Sequence, residues 1–163
     1  MSKRKIILVD GPSGSGKTTF ANQLGRDTSI TVVHLDDFYP GWSGLAEGVR
    51  MVVDDVLHPT QPGFTRWDWE KNQPGQWVQL DPEADLIIEG VGALTQASYQ
   101  AASQLGDVFT VRITAPYDAR KRRALERDPD YAEYWDMWAE QERELRLKEL
   151  PVTADLVLQG QRS

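Results

Sequence analysis

Residues 5–18 read KIILVDGPSGSGKT, and they are the most informative part of the sequence about its architecture. Its first half, Lys5–Asp10, is a continuous apolar run that ends at a Gly-Pro turn, which predicts a buried β-strand. A glycine-rich loop follows, and residues 18–24 then predict a helix that stops at Gly25. The sequence therefore predicts a strand, a tight loop and a helix in direct succession.

The loop between this strand and this helix matches the phosphate-binding pattern G-x-x-x-x-G-K-[ST] in full. Its glycines allow the backbone to aim several N–H groups into one concavity, and that concavity and the helix N-terminus favour an anion. We expect Lys17 to reach the β- and γ-phosphates of a nucleoside triphosphate and the Thr18 hydroxyl to bind Mg²⁺. The predicted nucleotide-binding residues are Gly11, Pro12, Ser13, Gly14, Ser15, Gly16, Lys17, Thr18 and Thr19.

The rest of the chain alternates strands and helices. Further strands are predicted at residues 30–35, 85–89, 108–114 and 154–158, and further helices at residues 45–57, 95–105, 117–127 and 131–149. This alternation predicts an α/β fold with a parallel, roughly five-stranded sheet and helices on both faces. Residues 58–82 contain six prolines and glycines and predict a long, mostly irregular loop. We expect a single domain over residues 1–163.

The composition excludes several classes of protein. The net charge is -7, from 18 basic and 25 acidic residues, which makes polymeric nucleic acid an unfavourable partner. The chain has no cysteine, so it forms neither a disulfide nor a thiolate site. Its apolar runs are too short for a membrane helix or a signal peptide. We therefore expect a cytoplasmic protein without a membrane partner.

Two acidic residues, Asp36 and Asp37, follow the second predicted strand. The carboxyl ends of parallel strands open into the ligand crevice, so both residues are expected on the same side as the phosphate loop. A carboxylate there could accept the proton of an attacking hydroxyl. The alternative is that both residues only cap the turn that follows.

The phosphate loop followed by Leu35-Asp36-Asp37-Phe38-Tyr39 resembles the uridine kinase family and its nicotinamide riboside kinase relatives. Those proteins are P-loop nucleoside kinases. The resemblance implies a three-layer P-loop fold, ATP and Mg²⁺ as cofactors, and a nucleoside as the phosphoryl acceptor. It also implies that Asp36 is the base that activates the ribose 5′-hydroxyl, with Asp37 and Tyr39 at the acceptor.

Two further segments extend the resemblance. Ile87-Ile88-Glu89-Gly90 is similar to the family segment whose glutamate lies near the metal and the phosphates, which implies that Glu89 binds the metal. Trp67-Asp68-Trp69 is loosely similar to the segment that holds the nucleoside, which implies that Asp68 binds sugar hydroxyls and Trp67 packs against the acceptor. The alternatives are a turn-capping carboxylate and loop tryptophans that pack onto the core.

Arg120, Arg123 and Arg127 are spaced three and four residues apart, so they share one face of a helix. Three guanidinium groups on one face suit a transferring phosphoryl group, although a solvated face paired with acidic residues is the alternative. The family has a lid segment with a similar arginine spacing. The resemblance therefore implies an Arg-rich lid over about residues 117–130 that closes over ATP and limits its hydrolysis.

These observations predict an ATP-dependent kinase that phosphorylates a hydroxyl of a small molecule, with the ribose 5′-hydroxyl of a nucleoside as the leading acceptor. The region from Pro40 to Thr65 departs from the usual acceptor-binding region of the family. Two alternatives therefore stay open. One is a kinase for another small metabolite, such as a vitamin riboside or a sugar. The other is a non-catalytic protein that binds ATP and acts as a sensor.

Overall fold

A computed structural model describes residues 3–160 of the chain and contains two β-sheets. The strands are β1 (Lys5–Asp10), β2 (Thr31–His34), β3 (Gly63–Asp68), β4 (Gln73–Gln79), β5 (Leu86–Glu89), β6 (Asp107–Thr114) and β7 (Leu156–Gln159). Five of them form a sheet in the order β2-β5-β1-β6-β7, in which every neighbouring pair is parallel. The predicted five-stranded parallel sheet is therefore confirmed.

The sheet separates two layers of core because side chains alternate between its faces. In β1, Ile6 and Leu8 point into the larger cluster of buried apolar residues, whereas Val9 points into the smaller one on the opposite face. β5 lies between β1 and β2, and its four residues are all buried, as expected of a strand covered on both faces.

Helices cover both faces, as predicted. They are α1 (Lys17–Thr28), α2 (Leu45–Met51), α3 (Gln96–Leu105), α4 (Tyr117–Arg127) and α5 (Trp135–Lys148). α1 contributes to the smaller cluster through Ala21, whereas the other four helices contribute to the larger one. Thr95 and Ser98 form a capping box that fixes the start of α3. None of the helices within residues 3–160 is long and apolar enough to cross a membrane.

Two predicted helices are interrupted. The helix predicted over residues 45–57 begins as α2 and continues as a π-helical segment, Val52–Val56. The helix predicted over residues 131–149 is divided into a 3₁₀ helix, Pro129–Glu133, and α5. The aromatic side chains of Tyr131, Trp135 and Trp138 are nevertheless all buried.

The prediction of an irregular loop over residues 58–82 is wrong, because this segment contains an antiparallel hairpin of β3 and β4. The two strands pair only with each other, so each has a free edge that tolerates Pro74 without the loss of a sheet hydrogen bond. Phe64 anchors the hairpin to the core, with its ring centre 5.1 Å from that of Phe38. The hairpin thereby lies over the end of the main sheet where β2 stops.

Candidate active site

A cavity of about 390 Å³ lies at the carboxyl ends of the central strands. The phosphate loop follows β1, a 3₁₀ turn with Asp36 follows β2, and Glu89 ends β5. Open α/β sheets bind their ligands at this edge. The residues that line the cavity are Ser13, Lys17, Thr18, Asp36, Tyr39, Trp42, Trp69, Val91, Arg127, Asp128, Asp130, Tyr131 and Trp138.

The phosphate loop has the curved backbone that its glycines predict. Gly14 and Gly16 have φ angles of +77° and +96°, which side chains other than glycine rarely adopt. A Cβ atom at Gly14 would also lie 2.2 Å from the carbonyl oxygen of Arg120. Lys17 is buried against the loop, with Nζ 3.5 Å from the carbonyl oxygen of Pro12, whereas Thr19 is exposed on the first turn of α1.

Asp10 stabilises the start of the loop through hydrogen bonds, a role that was not predicted from the sequence. Its Oδ1 accepts hydrogen bonds from the backbone N–H groups of Gly11 (2.7 Å) and Gly92 (3.1 Å), and its Oδ2 accepts one from Leu94 (2.8 Å). Burial raises the pKa of Asp10, and these three donors oppose the shift. Asp10 therefore has a structural role, since both oxygens are occupied by backbone donors.

Thr18 and Glu89, the two residues predicted to bind a metal, are in contact with each other. The Thr18 hydroxyl donates to Oε1 of Glu89 at 3.1 Å, and Nδ1 of His34 lies 2.6 Å from the same oxygen. This hydrogen bond raises the pKa of His34, because the adjacent carboxylate favours the charged imidazole. Within residues 3–160 no group of three or more His, Asp or Glu could hold a metal ion by itself. A cation bound here would therefore need phosphate oxygens as additional ligands beside the protein side chains, as is common for Mg²⁺.

Four buried polar side-chain atoms within residues 3–160 have no hydrogen-bond partner, and three of them surround the phosphate loop. They are Oγ of Ser15, Oε2 of Glu89 and Nη2 of Arg123. Buried polar atoms are normally paired, so the lone hydroxyl oxygen, carboxylate oxygen and guanidinium nitrogen are open to partners that the protein itself does not supply. A triphosphate with a divalent cation fits this set, because it brings acceptors for Arg123 and Ser15 and a positive charge for Glu89.

Asp36 faces the cavity from the 3₁₀ turn after β2. Solvent reaches its carboxylate through the cavity, but protein atoms surround it otherwise, and this burial raises its pKa. The positive charges of Lys17 and Arg127 oppose the shift, and the negative charge of Glu89 adds to it. Asp37 points elsewhere, with Oδ2 3.8 Å from the guanidinium of Arg66, and does not line the cavity.

Aromatic side chains form the far wall of the cavity. The ring of Trp42 stacks on Tyr134 at 4.7 Å and lies 5.2 Å from Trp69. Trp69 also donates a hydrogen bond from Nε1 to the backbone oxygen of Asp36, at 2.9 Å. Tyr39 lines the same wall, but its hydroxyl donates to the carbonyl oxygen of Val91 at 2.6 Å. The sequence did not predict the position of Trp42.

Two residues that the resemblance assigned to the acceptor lie outside this wall. Oδ1 of Asp68 accepts hydrogen bonds from the N–H groups of Glu70 (3.1 Å) and Lys71 (3.0 Å), which caps the turn of the hairpin. Trp67 points towards Gly41, and its Nε1 is buried without a partner among the described residues. Of the tryptophans in this segment, Trp69 lines the cavity and Trp67 does not.

The three arginines of α4 that were predicted to act at the site, Arg120, Arg123 and Arg127, have different surroundings. Arg127 lines the cavity, and the guanidinium of Arg123 comes within 4.0 Å of the position that a Cβ of Gly16 would occupy. Arg120 instead donates to the backbone oxygens of Ala115 and Ser13, at 3.1 Å each. The structure therefore brings Arg123 and Arg127 to the phosphate side of the site, whereas Arg120 connects α4 to the loop itself.

No protein-family model and no curated protein matches the sequence. Solved structures of several kinases do match the fold. A possible uridine kinase from Bacillus stearothermophilus is 23% identical over 97% of this chain and 90% of its own, with a TM-score of 0.55. The APS kinase of Mycobacterium tuberculosis, solved with AMPPNP and APS, is 17% identical over 100% and 92%, with a TM-score of 0.59.

A sugar kinase from Janibacter sp. HTCC2649 is 17% identical over 96% of this chain and 85% of its own, with a TM-score of 0.50. These identities are low, so the likeness concerns the fold. The solved kinases and this chain share a parallel five-stranded sheet flanked by helices. The chain therefore has the α/β fold of the P-loop kinases.

Proposed function

We propose that the chain is an ATP-dependent kinase that phosphorylates a hydroxyl group of a small molecule, and that this hydroxyl is the ribose 5′-hydroxyl of a nucleoside. One observation carries the proposal: a carboxylate, Asp36, and two cations, Lys17 and Arg127, line the same cavity beside the phosphate loop. Phosphoryl transfer requires this combination of a proton acceptor and positive charge. The kinases among the solved structures of the same fold support it.

The phosphate side of the cavity is proposed to hold the triphosphate. The N–H groups of the loop bind its oxygens, and Lys17, Arg123 and Arg127 stabilise the charge that spreads over the transferring group. Thr18 and Glu89 hold Mg²⁺, which neutralises phosphate charge when it is bound. The unpaired atoms of Ser15, Glu89 and Arg123 support this assignment because each would gain a partner.

Asp36 is proposed to be the general base. As the acceptor oxygen bonds to the γ-phosphorus, the bond from that phosphorus to the bridging oxygen breaks and ADP leaves. The proton of the hydroxyl passes to the Asp36 carboxylate. A pKa above the usual aspartate range makes the carboxylate a better proton acceptor, provided that it is still ionised at the working pH.

The acceptor is proposed to lie between the base and the aromatic wall. Trp42 and Trp69 offer flat faces to a planar ring, and such stacking contributes about 0.5–1.5 kcal/mol per pair beyond the area buried. Trp69 also donates a hydrogen bond to the backbone of Asp36, so a ring that stacks on Trp69 is held at a fixed position relative to the base. We therefore assign to Trp42 and Trp69 the packing role that the resemblance gave to Trp67.

The proposal is tested by incubating the protein with Mg-ATP and a panel of nucleosides, other ribosides and sugars while ADP release is measured. Acceptor-dependent release identifies a kinase and its substrate class. Asp36→Asn should then lower kcat by about 10²–10⁴-fold with ATP affinity unchanged. Asp37→Asn is the matched control, because Asp37 faces Arg66, and it should retain activity. ATP binding without any acceptor-dependent release would favour the sensor.

A further inference from the structure

Ser13 is held by three different elements of the structure. Its backbone N–H donates to Oε1 of Glu142 on α5, at 3.0 Å. Its hydroxyl oxygen accepts a hydrogen bond from the Tyr131 hydroxyl at 2.9 Å, and its carbonyl oxygen accepts one from Nη1 of Arg120 at 3.1 Å. The phosphate-binding pattern leaves this position free, so the pattern does not account for these contacts.

Glu142 is the unusual member of this set. Its residue is only 5% exposed, and within residues 3–160 it forms no ion pair. A buried carboxylate is costly unless hydrogen bonds compensate for the lost hydration. The donor that compensates here belongs to the phosphate loop itself, although Glu142 lies 129 residues further along the chain.

Glu142 approaches the loop from behind. It does not line the cavity that contains Lys17 and Asp36 but a second cavity of about 590 Å³, which also contacts Gly11 and Pro12. Its carboxylate is therefore directed at the back of the loop and away from the space proposed for the triphosphate. The direct contact between Glu142 and the loop is the hydrogen bond from the Ser13 N–H.

We propose that Glu142 is a positioning residue, which fixes the phosphate loop in its catalytic shape by holding the N–H of Ser13. This inference rests on the proposed kinase function. Because that N–H is hydrogen-bonded to α5, the peptide group before Ser13 is held in one orientation. The N–H groups that follow in the loop therefore keep pointing towards the space proposed for the triphosphate. Because a displacement of about 1 Å can cost roughly 100-fold in rate, a loose loop lowers kcat more than it weakens ATP binding.

The variants are chosen to separate hydrogen bonding from charge. Glu142→Ala removes the acceptor, and we expect kcat to fall at least about tenfold with a smaller change in the Kd of ATP. Glu142→Gln keeps an oxygen acceptor for the Ser13 N–H, and we expect it to restore kcat to within about threefold of the wild type. Glu142→Asp keeps the charge but shortens the side chain by one methylene, and we expect it to behave like Glu142→Ala.

The experiment uses the whole chain and three measurements: ADP release with the acceptor, calorimetric binding of Mg-ATP, and NMR hydrogen exchange at the Ser13 amide. We expect faster exchange in Glu142→Ala and Glu142→Asp, and slow exchange in Glu142→Gln. Glu144→Ala is the control, because Glu144 is exposed on the same helix. If Glu142→Ala does not fold, Glu142→Asp, which retains the carboxylate, provides the same test.

The outcomes separate this inference from the proposed function. A wild-type protein that binds no ATP would overturn the proposed function and, with it, the inference. A wild type that binds ATP and phosphorylates an acceptor, with Glu142→Ala and Glu142→Asp equally active, would overturn the inference alone. A Gln variant as impaired as the Ala variant would also overturn it, because charge and not the hydrogen bond would then be required.

Discussion

Removal of the Tyr39 hydroxyl group tests whether this hydroxyl stabilises the folded protein or binds the acceptor. Tyr39 is 1% exposed, and its ring packs at 4.8 Å on the edge of Trp138. Its hydroxyl donates to the carbonyl oxygen of Val91, a residue that is itself buried. Tyr39→Phe keeps the ring and removes only this hydrogen bond. The resemblance to nucleoside kinases placed Tyr39 at the acceptor, so the two roles give different results.

The expected loss of stability follows from the burial of both partners. A buried carbonyl left without its donor costs about 1–3 kcal/mol of unfolding free energy. At ~2.1 cal/mol/K per residue, the unfolding entropy of 163 residues is ~340 cal/mol/K. The Tm of Tyr39→Phe should therefore fall by about 3–9 °C. The KM of the acceptor should change less than about twofold, because the hydroxyl bonds to Val91 and not to a ligand.

The assay compares calorimetric unfolding and steady-state kinetics of the wild type, Tyr39→Phe and Tyr99→Phe. Tyr99 is 40% exposed on α3, and its variant should stay within about 0.5 kcal/mol of the wild type. An unchanged Tm together with a tenfold higher KM of the acceptor would refute the structural role. Tyr39 would then bind the acceptor through its hydroxyl.

Three further predictions concern the base, the loop and the aromatic wall. Because the pKa of Asp36 is raised and the base must be ionised, kcat/KM should fall on the acid side with a midpoint above pH ~4, and a midpoint at or below that value would count against Asp36 as the base. Gly14→Ala should weaken ATP binding more than about tenfold in calorimetry, since the loop then needs a strained φ, whereas Gly75→Ala in β4 should bind ATP like the wild type. Trp69→Ala should raise the KM of the acceptor and lower kcat, each about tenfold, because it removes part of the aromatic wall and a hydrogen bond to the backbone of Asp36. Trp77 is exposed on the hairpin, and Trp77→Ala should change neither constant. Kinetics in which Trp69→Ala and Trp77→Ala are alike would contradict the assignment of the wall.

The main sheet could be predicted because each strand is encoded by residues that are adjacent in the sequence. The central strands β1 and β5 are short apolar runs between polar or glycine residues, as expected of strands that are covered on both faces. The phosphate loop is equally local, since its function depends on residue types at fixed spacings. Thr18 and Glu89 could be expected on the same side of the sheet, because the phosphate loop follows β1 and Glu89 ends the neighbouring strand β5.

The hairpin could not be predicted for a physical reason. Its prolines and glycines are typical of loops, and they are tolerated here because the two strands form an isolated ribbon with free edges. Trp67 lies in β3, whereas Trp69 follows the strand in the turn of the hairpin. A continuous strand would place both side chains on the same face, so only the position of the turn separates them. The resemblance assigned the acceptor to Trp67, and the structure places Trp69 at the cavity.

The contacts of Ser13 could not be predicted from the sequence either. Glu142 and Tyr131 are more than a hundred residues away from it in the chain, and no periodicity relates them to the phosphate loop. On α5, Glu142 is one of three glutamates in a charged helix, and the other two, Glu140 and Glu144, are exposed. Only the packing of α5 against the loop distinguishes it.

The strand order also affects folding during protein synthesis. β1 leaves the ribosome before both of its neighbours, because Ile6 pairs with Leu86 and Val108, which are synthesised much later. At about 5–20 residues per second, β1 waits several seconds for either neighbour. The phosphate loop that follows β1 is thus made well before it can gain its shape. Nascent chains that end before β6 should leave Mg-ATP unbound, and nucleotide binding should begin only when nearly the whole sheet has emerged.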